Sequence, residues 1–169
     1  MTRNILILLA VPLAVALVSA AVLAQGRGGP QIKRMNPSAL STPTGYTHVV
    51  EVGGPVKTIY IAGQVALDKD GKLVGGTDMK AQAEQVFENL RVALSAAGAT
   101  FNDVVKMNTF TTDMSQAQAI RDVRTRYFTG FTPASTLVQV VHLARPELML
   151  EVEVIAAVPE SPRLVPASR

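Results

Sequence analysis

Apolar and polar positions change rhythm several times along the chain, and each change predicts an element. Residues 5–24, ILILLAVPLAVALVSAAVLA, form an apolar run without a charge. Residues 25–43 are rich in Gly, Pro, Ser and Thr and read as a linker. From Tyr46 the rhythm becomes extended. YTHVVEV and KTIYIAGQVAL flank the turn signal GGP and predict a first pair of antiparallel strands. DKDGK at 68–72 is another turn, lacking the spacing of a calcium loop. In TDMKAQAEQVFENLRVALSAAG the period lengthens: Ala83, Val86, Phe87, Leu90, Leu94 and Ala97 fall three or four apart on one helical stripe. Thr77 or Asp78 caps its start, and Gly98 supplies a left-handed stop. DVVKMNTFTT then predicts a strand. SQAQAIRDVRTRYFTG predicts a second helix with Ile120, Val123 and Tyr127 on one side and Gly130 at its end. Residues 133–158, PASTLVQVVHLARPELMLEVEVIAAV, predict two closing strands joined by a short Arg145-Pro146 connection.

The order is strand, strand, helix, strand, helix, strand, strand, in a domain set at residues 44–160 with a short polar tail at 161–169. Neither helix can bury its stripe alone, so an α+β architecture is expected, with two helices on one face of a sheet. The last strands stay apolar on both sides, which implies that the second face meets other subunits.

The N-terminal run adds an address. Arg3 precedes it, and Val22-Leu23-Ala24 places small residues where a signal peptidase cuts. Residues 1–24 are therefore expected to be a signal peptide cleaved after Ala24, making the protein periplasmic or secreted. The alternative is a retained anchor, since about 20 apolar residues also span a bilayer; Pro12 and the basic Arg27, Lys33 and Arg34 just beyond the run favour cleavage. On that expectation the membrane is met only through the export signal. Removing Arg3 lowers the formal charge from +3 to +2, with Lys and Arg scattered along the rest of the chain. Phosphate binding needs a basic stripe, so nucleic acid is not an expected partner. The absence of cysteine excludes thiol nucleophiles, thiolate metal sites and disulfides.

Candidate chemistry centres on Glu151 and Glu153, set among Leu148, Met149, Leu150, Val152 and Val154. Two apart on a strand, they face the same side with Cα atoms roughly 6–7 Å apart. Burying an ionised carboxylate is costly unless it is paired or hydrogen-bonded. Either an arginine from a helix or a neighbouring subunit, such as Arg121, Arg124 or Arg126, pairs with one of them, or a desolvated carboxyl serves as a proton shuttle. Only two histidines are present, His48 and His142, too few and too isolated for a metal site or a serine triad. Arg145 is a candidate for the cleft or a solvated turn charge.

GYTHVVEVGGPVKTIYIAGQ, AEQVFENLRVALSAAGATFNDVVKMNTF and PASTLVQVVHLARPELMLEVEVIAAV together resemble the RidA (YjgF) family, in order, from about Tyr46 to Val158. The resemblance implies a chorismate-mutase-like fold with a mixed, mostly antiparallel sheet. It also implies a homotrimer around a central barrel, with clefts for a small-molecule metabolite between subunits. It further implies hydrolysis of reactive enamines and imines to a carbonyl compound and ammonia, without a metal or organic cofactor. Within that pattern Glu151 matches the glutamate that handles water or a proton, and Tyr46 the tyrosine of the cleft. Gln64 matches a loop bordering the cleft, and Asn108 either serves the cleft or satisfies backbone groups. Directly after Pro133-Ala134, where the family has an arginine for the substrate carboxylate, stands Ser135. A hydroxyl cannot form the bidentate, charge-assisted clamp of a guanidinium. Three outcomes follow: the substrate lacks that carboxylate, another residue grips it, or the protein binds a ligand without turnover.

Overall fold

A computed structural model describes residues 31–160. The expected signal peptide at 1–24, residues 25–30 of the linker and the tail at 161–169 lie outside them. No helix among the described residues is long and apolar enough to cross a membrane.

Ten-residue strand β6 (Leu150–Pro159) organises the sheet. Its even-numbered residues Leu150, Val152, Val154 and Ala156 are buried, while Glu151, Glu153 and Ile155 are only half-buried on the other face. Strand β6 lies between β3 (Val56–Val65) and β4 (Val104–Thr111), antiparallel to both, and β5 (Ala134–Gln139) joins the far side of β4 in parallel. The order β3-β6-β4-β5 is thus mixed and mostly antiparallel. Its central strand reads as a nearly continuous apolar run because it has neighbours on both edges.

Helix α1 (Met79–Ala96) starts at Asp78, whose carboxylate accepts from the amides of Lys80 at 2.9 Å and Ala81 at 3.4 Å. It stops at Gly98, whose φ of 74° lets the Ala99 amide turn back to the Leu94 carbonyl at 2.9 Å. Met79, Ala83, Val86, Phe87, Leu90 and Leu94 are buried against β3 and β6. Each such large side chain contributes roughly 1.5–3 kcal/mol, so packing holds the helix more than propensity does. Helix α2 (Ala117–Tyr127) packs on α1 through Ile120 and Val123. It ends at Tyr127, short of the expected stop at Gly130. The chain leaves the helix there to bury Phe128 edge-on to Phe101, with ring centroids 5.1 Å apart.

Three expectations need correction. Gln31–Met35, inside the expected linker, is strand β1, paired along its whole length with β2 (Val49–Gly53). Arg34 fastens this ribbon to the domain, its guanidinium 4.6 Å from the Phe131 ring centroid and bonded to the Asn102 carbonyl at 3.1 Å. Second, the two strands around GGP do not form a hairpin. The chain turns at Gly54, with φ of 77°, but β2 stays with β1 while β3 pairs with β6, against which Ile59 and Ile61 reach the core. Third, the connection between β5 and β6 is not short: residues 140–149 span it, and β4 lies between the two strands in the sheet. The turn expected at DKDGK is present: Asp68 accepts from the amides of Asp70 and Lys72, both at 2.9 Å.

Candidate active site

Register divides the sequence-predicted residues between the two faces of the sheet. Ser135 pairs with Met107, a core residue, and so faces the helices. Glu151 pairs with Val65 on one side and Phe110 on the other, and faces away from them.

On the helix side Ser135 joins Tyr46 in a cavity of about 520 Å³, with Thr42, Thr44, Leu137 and, from α2, Gln118, Arg121 and Arg124. Tyr46 precedes the first main-sheet strand by ten residues, so its place beside β5 needs a long-range fastener. Thr47 provides it. Its amide donates to the Pro133 carbonyl at 2.9 Å, and its buried hydroxyl bonds the Thr132 carbonyl at 2.7 Å. Next to it Gly45 has φ of 74°, and a Cβ there would lie 2.3 Å from Nη2 of Arg124. Both the backbone conformation and the close approach call for glycine. Burial pushes the Arg124 guanidinium below its usual range, and the Arg121 charge adds to the effect. Neither arginine has an acidic partner among the described residues, whereas Arg126 pairs with Glu84 at 3.0 Å.

On the opposite face Glu151 rests against Gly63, beside the register shift between Ile61 and Gln64. A Cβ on Gly63 would fall 1.8 Å from Oε1 of Glu151, so that glycine leaves the room the carboxylate occupies. Half-buried, Glu151 has no side-chain hydrogen bond or ion pair among the described residues. Glu153 instead accepts from Nδ2 of Asn108 at 2.8 Å across the strands, in a separate cavity of about 350 Å³ bordered by Tyr60 and Lys106. Among the described residues of one chain, neither glutamate pairs with Arg121, Arg124 or Arg126.

Gln64 does not join this group. Its partner across the sheet is Val152, which places it on the helix side, in a groove with Gln85, Glu88 and Asn89. The register shift between Ile61 and Gln64 breaks the simple alternation along the strand and sets this face. Arg145 is held in the turn by Glu147 and by the Gly71 carbonyl at 3.1 Å, and His48 Nε2 meets the Ser41 carbonyl at 2.8 Å. Among the described residues no group of three or more acidic or histidine side chains is placed to hold a metal. Sequence reasoning missed the two arginines as cavity residues. Their spacing of three along α2 places them on one side of the helix, but nothing local shows what lies opposite.

Two helices over a mixed sheet, with small-molecule-sized cavities on either side of it, define a chorismate-mutase-like α+β protein. Residues 36–158 match the family model described as Endoribonuclease L-PSP, and the chain belongs to this family, which is the RidA (YjgF) family. A mouse relative, 2-iminobutanoate/2-iminopropanoate deaminase, is 39% identical over 112 residues, covering 66% of this chain and 79% of that protein. Among solved structures, the Rid-family protein YyfB of Yersinia pestis superposes with a TM-score of 0.70 at 36% identity, covering 75% of this chain and 98% of that one. RidA from an Antarctic Psychrobacter gives 0.57 at 37% identity, covering 78% and 100% respectively.

Proposed function

We propose that this protein is an exported, homotrimeric deaminase that hydrolyses a small imine or enamine to a carbonyl compound and ammonia. The observation that carries it is Glu151: a half-buried carboxylate without a partner among the described residues, given room by Gly63 on the sheet face that no helix covers. There it can take a proton from water as the water oxygen bonds to the C=N carbon. Passing that proton to nitrogen gives a carbinolamine, and moving the hydroxyl proton to the same nitrogen lets ammonia leave as the C–N bond breaks and the carbonyl forms, so the sum is imine plus water to carbonyl plus ammonia. The deaminases among the relatives support this class of reaction.

Assembly explains how residues on opposite faces work together. Tyr60, 78% exposed, and Val138 lie on the uncovered face with Glu151, an apolar area suited to packing against further copies. In a trimer one protomer's Glu151 comes to border a neighbour's cavity. Export rests on the apolar run at 5–24 and is tested by N-terminal sequencing of protein recovered from the cell envelope; an intact Met1 would refute cleavage. A non-catalytic binding trimer is the second proposal, favoured by Ser135 in place of the family arginine.

The deciding experiment measures ammonia release by the full-length chain from imines generated in situ from several amino acids, beside Glu151→Gln and Ser135→Arg. Acceleration that Glu151→Gln abolishes while the fold persists supports the deaminase. A folded protein without acceleration, activated only by Ser135→Arg, supports the binding protein instead.

A further inference from the structure

We infer that Arg121 and Arg124 of α2, with Tyr46 and Ser135, form a recognition site for a small carboxylate, gripping the ligand's anionic group from the helix instead of from β5. This builds on the cleft chemistry proposed above and names the class of ligand it takes.

Two guanidiniums line one cavity of about 520 Å³ that no acidic side chain lines. Holding like charges together in a partly desolvated place is unfavourable, and an anion between them reverses the sign of the interaction. Asp122, their acidic neighbour on α2, is engaged by Gln118 Nε2 at 2.8 Å and does not border the cavity. Arg126 follows the ordinary pattern for a surface arginine and takes Glu84. Arg121 and Arg124 do not, and the two glutamates of the neighbouring helix, Glu84 and Glu88, are taken by Arg126 and Arg91.

Arg124 is also half-buried against the Gly45 segment. The glycine backbone at 45 lies so close to Nη2 that any other residue there would collide with it. The anchoring of Thr47 to Thr132 and Pro133 holds that segment still. A planar guanidinium offers a fork that matches a carboxylate. The hydroxyls of Tyr46 and Ser135 add neutral hydrogen bonds on the same wall. Ser135 is short, and its size leaves the cavity open to the helix arginines, where a longer side chain at that position would fill it.

The test titrates the full-length chain calorimetrically with 2-oxobutanoate, a keto acid of the kind imine hydrolysis releases, and with its uncharged amide. Arg121→Gln, Arg124→Gln, Arg124→Lys and Arg126→Gln are compared. Expected results are binding of the carboxylate in preference to the amide, and weakening by about tenfold or more in Arg121→Gln and Arg124→Gln. Arg124→Lys should be intermediate and Arg126→Gln unchanged. Should Arg124→Gln not fold by circular dichroism, the exposed Arg121 carries the comparison. No binding to the unmodified protein, equal binding of the amide, or unchanged binding in folded Arg121→Gln would overturn the inference. Arginine-dependent binding without ammonia release sustains this site while defeating the deaminase proposal; ammonia release indifferent to both arginines does the reverse.

Discussion

Gln82 sits in the first turn of α1 with no solvent exposure, and replacing it tests whether polar bonds fix the approach to β6. Its Nε2 donates to the Gly76 carbonyl at 2.6 Å and the Glu147 carbonyl at 2.9 Å, while Oε1 accepts from the Met149 amide at 2.9 Å. One side chain thus joins the start of the helix to the segment that delivers Leu150 and Glu151. Gln82→Met conserves volume closely, so the cavity contribution is small and the lost bonds dominate. Three bonds at about 1 kcal/mol net each give about 3 kcal/mol, and stranding buried backbone groups raises this toward 5. Total stabilities are about 5–15 kcal/mol, so the loss is a large fraction. Urea unfolding followed by circular dichroism, at fixed protein concentration, should show the midpoint falling by about 1.5 M for a slope near 2 kcal/mol/M. Gln85→Met, one turn position away and bonded only to Asn89 at 2.8 Å, should shift stability by no more than roughly 0.5 kcal/mol. A loss below about 1 kcal/mol in Gln82→Met would refute the account.

Gly63→Ala should leave the fold intact, at a cost of about 1 kcal/mol for an off-rotamer glutamate, yet remove most ammonia release by displacing the Glu151 carboxylate; full activity would show that its position is not critical. Tyr60→Glu places a charge on the uncovered sheet face and should reduce the proposed trimer to monomers by light scattering, an unchanged mass counting against that face as the interface. Asp113 accepts from the Ser115 hydroxyl and Gln116 side chain and from the Ser115 amide, which lowers its carboxyl below the ordinary range. Its contribution is therefore present above the unfolded carboxylate pKa and lost as pH falls through the lower folded value. A carboxyl-carbon NMR titration should show that depressed midpoint, and Asp113→Asn should remove the acid-side dependence.

Much of the fold was legible because its signals are local. The Asp78 cap, the stripe from Ala83 to Leu94 and the Gly98 stop all lie within one helix length, and the helix formed where they predicted it. The apolar run around Glu151 announced a well-covered strand. The ribbon strand β1 was hidden because QIKRM is short and set among Gly and Pro, and its pairing depends on a partner beyond the next loop. The face Gln64 takes was hidden for a related reason, since the register shift between Ile61 and Gln64 resets the alternation and leaves no clear mark in composition.

The sequence by itself determined where both long helices and the strands of the main sheet form, that one sheet face carries both helices, and that Glu151 is a carboxylate in an apolar strand. Those properties follow from periods of 3.6 and 2 and from the chemistry of single residues. Only the tertiary structure decided that β4 separates β5 from β6, that Ser135 and Glu151 point to opposite faces, and that Arg121 and Arg124 stand over Tyr46 and Ser135. Partners distant along the chain are chosen by which arrangement buries the most apolar surface and pairs the most backbone groups. That is a property of the whole packed molecule, carried by no single segment.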